Sequence, residues 1–191
     1  MIEPDRLESI LTALGTLLGQ RGLTYELVTI GGASLALRGL VFRPTQDLDV
    51  VAVVVDGQMR KVKPLPEDLL RAARDVAAEF QLSDRWLNSG PSDLMDFGLP
   101  EGFADRAEIR RFGPLTLRIA GRFDQICFKV YAAVDQAPGS RHLDDLRELK
   151  PSADELFAAG RWARSHDPSD GFLSQLRLLV KAFGVENDGR I

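Results

Sequence analysis

The sequence predicts an α+β fold with an α/β-type mixed sheet in its first two thirds and a helical subdomain at its C-terminal end. Three observations carry this. Apolar, strand-like runs stand at 25–30 and 47–55. Two further runs bracket Gly113-Pro114 in the manner of a hairpin. From Arg122 onward the apolar residues recur at helical spacing. Strands early and helices late describe a core over residues 1–135 followed by a helical subdomain over 136–191 packed on it.

The elements follow in order. Leu7, Ile10, Leu11, Leu14, Leu17 and Leu18 mark a helix over 4–21 that Gly22 is placed to end. Tyr25–Ile30 is an apolar strand that runs into Gly31-Gly32, and a helix over 33–38 follows, closed by Gly39. Asp47–Val55 is the strongest strand, and because both its faces turn apolar after Asp49 it is a central one. Gly, Pro and several charges make 56–66 a loop, and Pro66 opens a helix with Leu69, Leu70, Ala73, Val76, Ala77 and Phe80 on its apolar side. Residues 84–105 carry turn signals around a short helical piece and are long enough for a wall or lid over a site. Segments 107–112 and 115–120 form the hairpin. Helices are predicted over 122–135, 141–149, 152–165 and 169–184, punctuated by Pro151 and Pro168.

With 45% hydrophobic and 27% charged residues the chain can build a core without staples. One cysteine, Cys127, excludes an internal disulfide; it reads as a small core residue in a reducing, cytoplasmic setting. The start MIEPDRLESI has neither the basic end nor the apolar run of a signal peptide. No apolar stretch reaches the ~20 residues needed to cross a bilayer, so no membrane partner is expected. A net charge of -4 argues against non-specific coating of nucleic acid. Local basic grooves remain open at Arg60-Lys61-Val62-Lys63 and at Arg106, Arg110, Arg111, Arg118 and Arg122, although any one of these also reads as solvated surface. His142 and His166 read as surface residues.

Side chains on a strand alternate faces, so Asp47 and Asp49 point one way and Leu48 the other. Two carboxylates side by side repel unless a cation joins them. An oxygen-loving divalent ion, Mg²⁺ or Mn²⁺, resolves the conflict and can then hold phosphate oxygens. An isolated pair also reads as exposed acids at a strand end, but here it opens an otherwise apolar strand. Gly31-Gly32 adds a turn where backbone can approach a ligand closely, with Ser34 supplying a hydroxyl in the next helical turn.

Together, Ile30-Gly-Gly-Ala-Ser-Leu-Ala-Leu37 and Arg43-Pro-Thr-Gln-Asp-Leu-Asp-Val50 resemble the nucleotidyltransferase superfamily. The match is best to its AbiEii toxin-like branch and the related DUF6036-like bacterial proteins. The resemblance implies a nucleotidyltransferase-like core that moves a nucleoside monophosphate from an NTP to an acceptor, with Mg²⁺ or Mn²⁺ on Asp47 and Asp49. It implies nucleotide contacts from Gly31, Gly32, Ser34, Arg43 and Thr45. The acceptor it suggests is RNA, tRNA included, or a protein, in a toxin–antitoxin setting with a cognate partner; the alternative is a weak or inactive nucleotide-binding regulator. The same branch adds a lysine and an aspartate further on, matched here by Lys129 in Cys127-Phe-Lys-Val-Tyr131 and Asp145 in the segment 141–149. Helical spacing puts both at the borders of buried stripes, where they could equally pair with each other. Many relatives carry a third carboxylate on a later strand; Leu115–Ala120 has none, and Glu108 is the nearest substitute.

Overall fold

The computed structural model describes residues 1–135, 140–186 and 189–191. The chain divides into two compact units, residues 1–98 with 102–121 and residues 99–101 with 122–191. The division expected after residue 135 borders residues 136–139, which lie outside the described residues; the unit boundary stands one helix earlier, in front of Arg122. The reason is packing: the helix α5 (Arg122–Asp135) makes its main helix contacts with the C-terminal helices.

In the first unit, a 3-10 turn (Pro4–Arg6) leads into α1 (Leu7–Gln20), and β1 (Tyr25–Ile30) runs directly into α2 (Gly31–Leu37). The second helix therefore starts on the glycine pair rather than after it. β2 (Leu48–Val55), β3 (Gln58–Arg60), α3 (Glu67–Phe80), β4 (Leu87–Asn88), α4 (Phe103–Arg106), β5 (Glu108–Phe112) and β6 (Leu115–Ile119) follow. Among the described residues, six strands form one mixed sheet in the order β3-β2-β1-β6-β5, with β4 pairing beside β2. β1 is antiparallel to β2 and parallel to β6, so the predicted hairpin β5–β6 docks on the sheet's centre.

Two parts of this unit differ from expectation. Residues 56–66 are not all loop, because β3 pairs antiparallel with β2 around Asp56-Gly57. Both turn residues have positive φ, 51° and 75°, as a two-residue hairpin turn of the Asp-Gly kind requires. Within the stretch expected to be turns around a short helical piece, residues 86–92 are stitched to the sheet. Leu87 and Asn88 pair in parallel with Leu48 and Asp49, and the Trp86 indole, fully buried, donates to the Ala73 carbonyl at 2.8 Å. In the following 3-10 helix (Gly90–Asp96), the Ser92 hydroxyl donates to the Val51 carbonyl and accepts from the Val62 amide, each at 3.0 Å.

One buried cluster lies on a single face of the sheet, while Val28, Ile30, Val51 and Ala52 are buried outside it. Leu27, Leu48, Val50, Leu115, Leu117 and Ile119 join Leu7, Ile10, Leu11, Leu14, Leu69 and Val76 in a single buried cluster. Asp49, between Leu48 and Val50, faces the other way. α1 approaches the hairpin closely enough that a Cβ on Gly15 would overlap the Phe112 carbonyl oxygen.

At the start of β1 the Tyr25 hydroxyl donates to Asp68 at 2.5 Å. Burial first, then that bond and the charge of Asp68, push the phenol up to about 12 from 10.0. With the folded value above the unfolded one, this contribution is complete below about pH 10 and is lost as pH rises through about 12. Phenolate absorbance should therefore show a late tyrosine step, and Tyr25→Phe should remove it. A late step that survives Tyr25→Phe would refute this assignment.

The second unit is helical, as predicted: α5, α6 (Arg141–Leu149), α7 (Ala153–His166) and α8 (Asp170–Ala182). Ser152 and Glu155 form a reciprocal capping box that starts α7, and the Ser169 hydroxyl accepts from the Phe172 amide to start α8. Cys127 is fully buried. His166 is not a surface residue: it is 7% exposed, 4.2 Å centroid to centroid from Trp162 and 5.6 Å from Tyr131, with Nδ1 3.1 Å from the Trp162 carbonyl. Helical spacing put it on the apolar side of α7, which the break at Pro168 obscured. His142 is half-buried rather than exposed. No helix among the described residues is long and apolar enough to cross a membrane.

Candidate functional site

Antiparallel pairing sets Ile30 opposite Asp49, which delivers the end of β1, and so the glycine pair, to the aspartate. Gly31 has φ +81°, a conformation that side chains with a Cβ rarely adopt, and a Cβ there would overlap Asp49 Oδ2. Gly32 faces the entering loop: its added Cβ would stand 2.9 Å from Thr45 Oγ1 and 3.7 Å from Arg43 Nη2. The glycines are small because Asp49, Thr45 and Arg43 occupy the space beside them.

The loop is held from several sides. Thr45, 4% exposed, donates its hydroxyl to the Asp47 carbonyl at 3.2 Å. Arg43 Nη1 donates to the Pro44 carbonyl at 3.2 Å. A two-way backbone bridge ties Thr45 to Ile2, with Ile2 N–H to Thr45 O at 2.7 Å and Thr45 N–H to Ile2 O at 2.9 Å. Asp47 and Asp49 are both half-buried and alternate with buried Leu48 and Val50; β2 begins at Leu48, so Asp47 stands just ahead of the strand expected to carry it. Asp47 also opens on a cleft of about 500 Å³ whose wall includes Ile2, Leu82, Ser83 and Arg85. A larger groove, about 750 Å³, runs between α1 and α3 and holds none of the expected site residues.

One neighbour of Asp49 was not expected. Asn88, paired across the sheet from it on β4, donates from Nδ2 to Asp49 Oδ1 at 3.2 Å. Its own Oδ1 accepts from the Gly90 amide at 2.8 Å, which determines the way round the amide sits. The only hint in the sequence was the Asn88-Ser89-Gly90-Pro91 turn signal.

Ser34 is fully buried in α2, and its Oγ has no hydrogen-bond partner among the described residues. In the second unit Lys129 and Asp145 are brought together. Their Nζ–Oδ2 distance is 2.7 Å, with the lysine 5% and the aspartate 0% exposed. Lys129 is thus buried rather than at the edge of its stripe, and Asp144 points to solvent as expected.

Glu108 does not serve as a third ligand beside Asp49. It pairs with Ile119, whose side chain lies in the helix-side core, and so faces away from Asp49. Three strand spacings, about 14 Å, also separate the two. Its carboxylate is engaged by Arg110 at 2.7 Å and Arg38 at 3.5 Å. Among the described residues, no group of three or more His, Cys, Asp or Glu could hold a metal. Asp47 and Asp49 nonetheless fit Mg²⁺, an ion that commonly takes one or two protein carboxylates and completes its shell with substrate phosphates and water.

The basic segments are largely neutralised. Lys61 pairs with Asp93 at 2.8 Å and Asp96 at 2.6 Å, and Lys63 also pairs with Asp93. Hydrogen bonds from Lys61 and then Lys63 hold the Asp93 carboxyl down to about 2. Arg110 pairs with Glu8 as well as Glu108, Arg118 with Glu26, and Arg122 with Glu155. Arg60 and Arg111 stay exposed. Sequence-distant carboxylates supply most of these partners, so counting basic residues overstated both grooves.

In comparisons with known proteins, no family model matches the chain, and neither a curated protein nor a solved structure matches it.

Proposed function

We propose that the chain is a metal-dependent nucleotidyltransferase that moves a nucleoside monophosphate from an NTP to an acceptor hydroxyl. The observation that carries this reading is Gly31, whose positive φ and close approach to Asp49 leave no room for a Cβ. A chain that needed only a turn here could place the carboxylate elsewhere. Bare backbone against a half-buried acid, with Thr45 and Arg43 beside it, instead suits a triphosphate and its counter-ion.

In this reading Asp47 and Asp49 hold the Mg²⁺ or Mn²⁺, which would offset the charge that develops on the phosphates. Gly31 and Gly32 make room for Asp49, Thr45 and Arg43, with Thr45 holding the loop and Arg43 contributing donors to the phosphates from it. The acceptor oxygen forms a bond to the α-phosphorus as the α–β bridging P–O bond breaks, pyrophosphate leaves, and the hydroxyl proton passes to solvent. Lys129 and Asp145 stay in the proposal as a charged pair, the aspartate orienting the lysine. Because carboxylates already engage most of the basic side chains, a protein hydroxyl fits the acceptor better than an RNA backbone does. A cognate partner of the toxin–antitoxin kind belongs to the same proposal. Among the described residues no third carboxylate is placed beside Asp49, which favours a second reading, a nucleotide-binding regulator that catalyses little or nothing.

The test is label transfer from each α-labelled NTP with Mg²⁺, offering total RNA in one arm and cell protein in the other, against an Asp49→Ala variant. Transfer that disappears with Asp49→Ala supports the enzyme. Transfer that persists in that variant would sink the site, and Mg²⁺-dependent NTP binding without transfer would select the regulator.

A further inference from the structure

Asp49 has a partner on each side of its carboxylate. Oδ2 lies against Gly31, where even a methyl group would overlap it. Oδ1 accepts from Asn88 Nδ2 at 3.2 Å. The Asn88 side chain is itself locked, because its Oδ1 is committed to the Gly90 amide at 2.8 Å. A reversed amide would set one oxygen against the Asp49 carboxylate and one NH₂ against a backbone N–H, losing both bonds. The backbone supports the same arrangement, with Asn88 in register with Asp49 on β4.

We infer that Asn88 is a positioning residue for Asp49, holding its carboxylate in one orientation for a divalent cation shared with Asp47. The inference rests on the metal-binding reading of that pair. Its chemistry follows from charge. Two carboxylates balance one divalent ion, and a third at this distance would leave a surplus negative charge and raise the others' protonation. An amide has nearly the same shape, directs Asp49 by a hydrogen bond and adds no charge. Residues that orient metal ligands in this way commonly change affinity 10–100-fold when removed.

The experiment is a Mn²⁺ titration followed by electron paramagnetic resonance, with a non-hydrolysable ATP analogue present, on the wild type and on Asn88→Ala, Asn88→Asp and Asp49→Asn. Melting temperatures are measured with and without Mn²⁺. Asn88→Ala is expected to weaken Mn²⁺ about tenfold. Asn88→Asp keeps the acceptor for Gly90 but puts a like charge beside Asp49. Its metal-free form should melt about 2–4 °C below wild type, and Mn²⁺ should raise its melting temperature by more than it raises the wild type's. Mn²⁺ affinity within twofold of wild type in Asn88→Ala, or an Asn88→Asp protein that melts like wild type with and without Mn²⁺, would show that position 88 only makes the turn, and would overturn the inference. If Asp49→Asn leaves Mn²⁺ binding intact, the metal site itself is wrong; if it abolishes binding while the Asn88 variants do not change it, only the role of Asn88 fails.

Discussion

Asp145→Ala is expected to cost about 3–5 kcal/mol of folding stability, read by urea denaturation. The aspartate is fully buried on α6 and the lysine it meets on α5 is 5% exposed. Truncating the acid removes the carboxylate that faces the buried ammonium, and that lost compensation is the source of the cost. Lys129→Met should fall in the same range for the mirror reason. The double variant Lys129→Met/Asp145→Leu removes both charges and fills the space, so it should recover most of the loss. This separates structure from chemistry: a stable double variant that still binds and transfers nucleotide would confine the pair to folding. Single variants within about 1 kcal/mol of wild type would contradict the buried pairing itself.

Gly31→Ala should be the most damaging small substitution at the site. Two costs combine. The residue sits at φ +81°, and forcing an L side chain into the left-handed region costs about 1–2 kcal/mol. In addition the new methyl overlaps Asp49 Oδ2, so the carboxylate or the turn must shift. A shift near 1 Å at a reacting centre lowers rate on the order of a hundredfold, and transfer should fall by at least that much. Gly22 provides the control: its φ is +65°, yet a Cβ there meets nothing within 4 Å. Gly22→Ala should therefore show the backbone cost alone, with activity kept. Equal effects in the two variants, on both stability and transfer, would refute the packing argument.

The fold was legible wherever a periodic signal existed. The run of β-branched residues after Asp49 revealed a central strand, and the leucines at helical spacing revealed α1. The alternation of Asp47, Leu48, Asp49 and Val50 matches half-buried, buried, half-buried, buried in the structure. What escaped was pairing between distant residues, which leaves no period to read. Asn88 reaches Asp49 across 39 positions on a two-residue strand, far below the length any alternation needs. Lys61 and Lys63 looked like an open basic patch because Asp93 and Asp96 lie some thirty residues on, brought back by the Ser92 staple. Position 166 was misread for a related reason, since the helix break beside it masked which side of α7 it occupies. Asp56-Gly57 is different: it is a strong hairpin signal that the loop assignment overlooked.

The bridge between Ile2 and Thr45 makes the first residues of the chain and the loop in front of Asp47 one mechanical piece. Ile2 is 1% exposed and anchored in the core, and its two backbone bonds fasten the threonine that in turn holds the Asp47 carbonyl. A displacement of Ile2 therefore reaches the carboxylate loop through three hydrogen bonds. A substitution that loosens Ile2 from the core should be felt at the carboxylate loop as well.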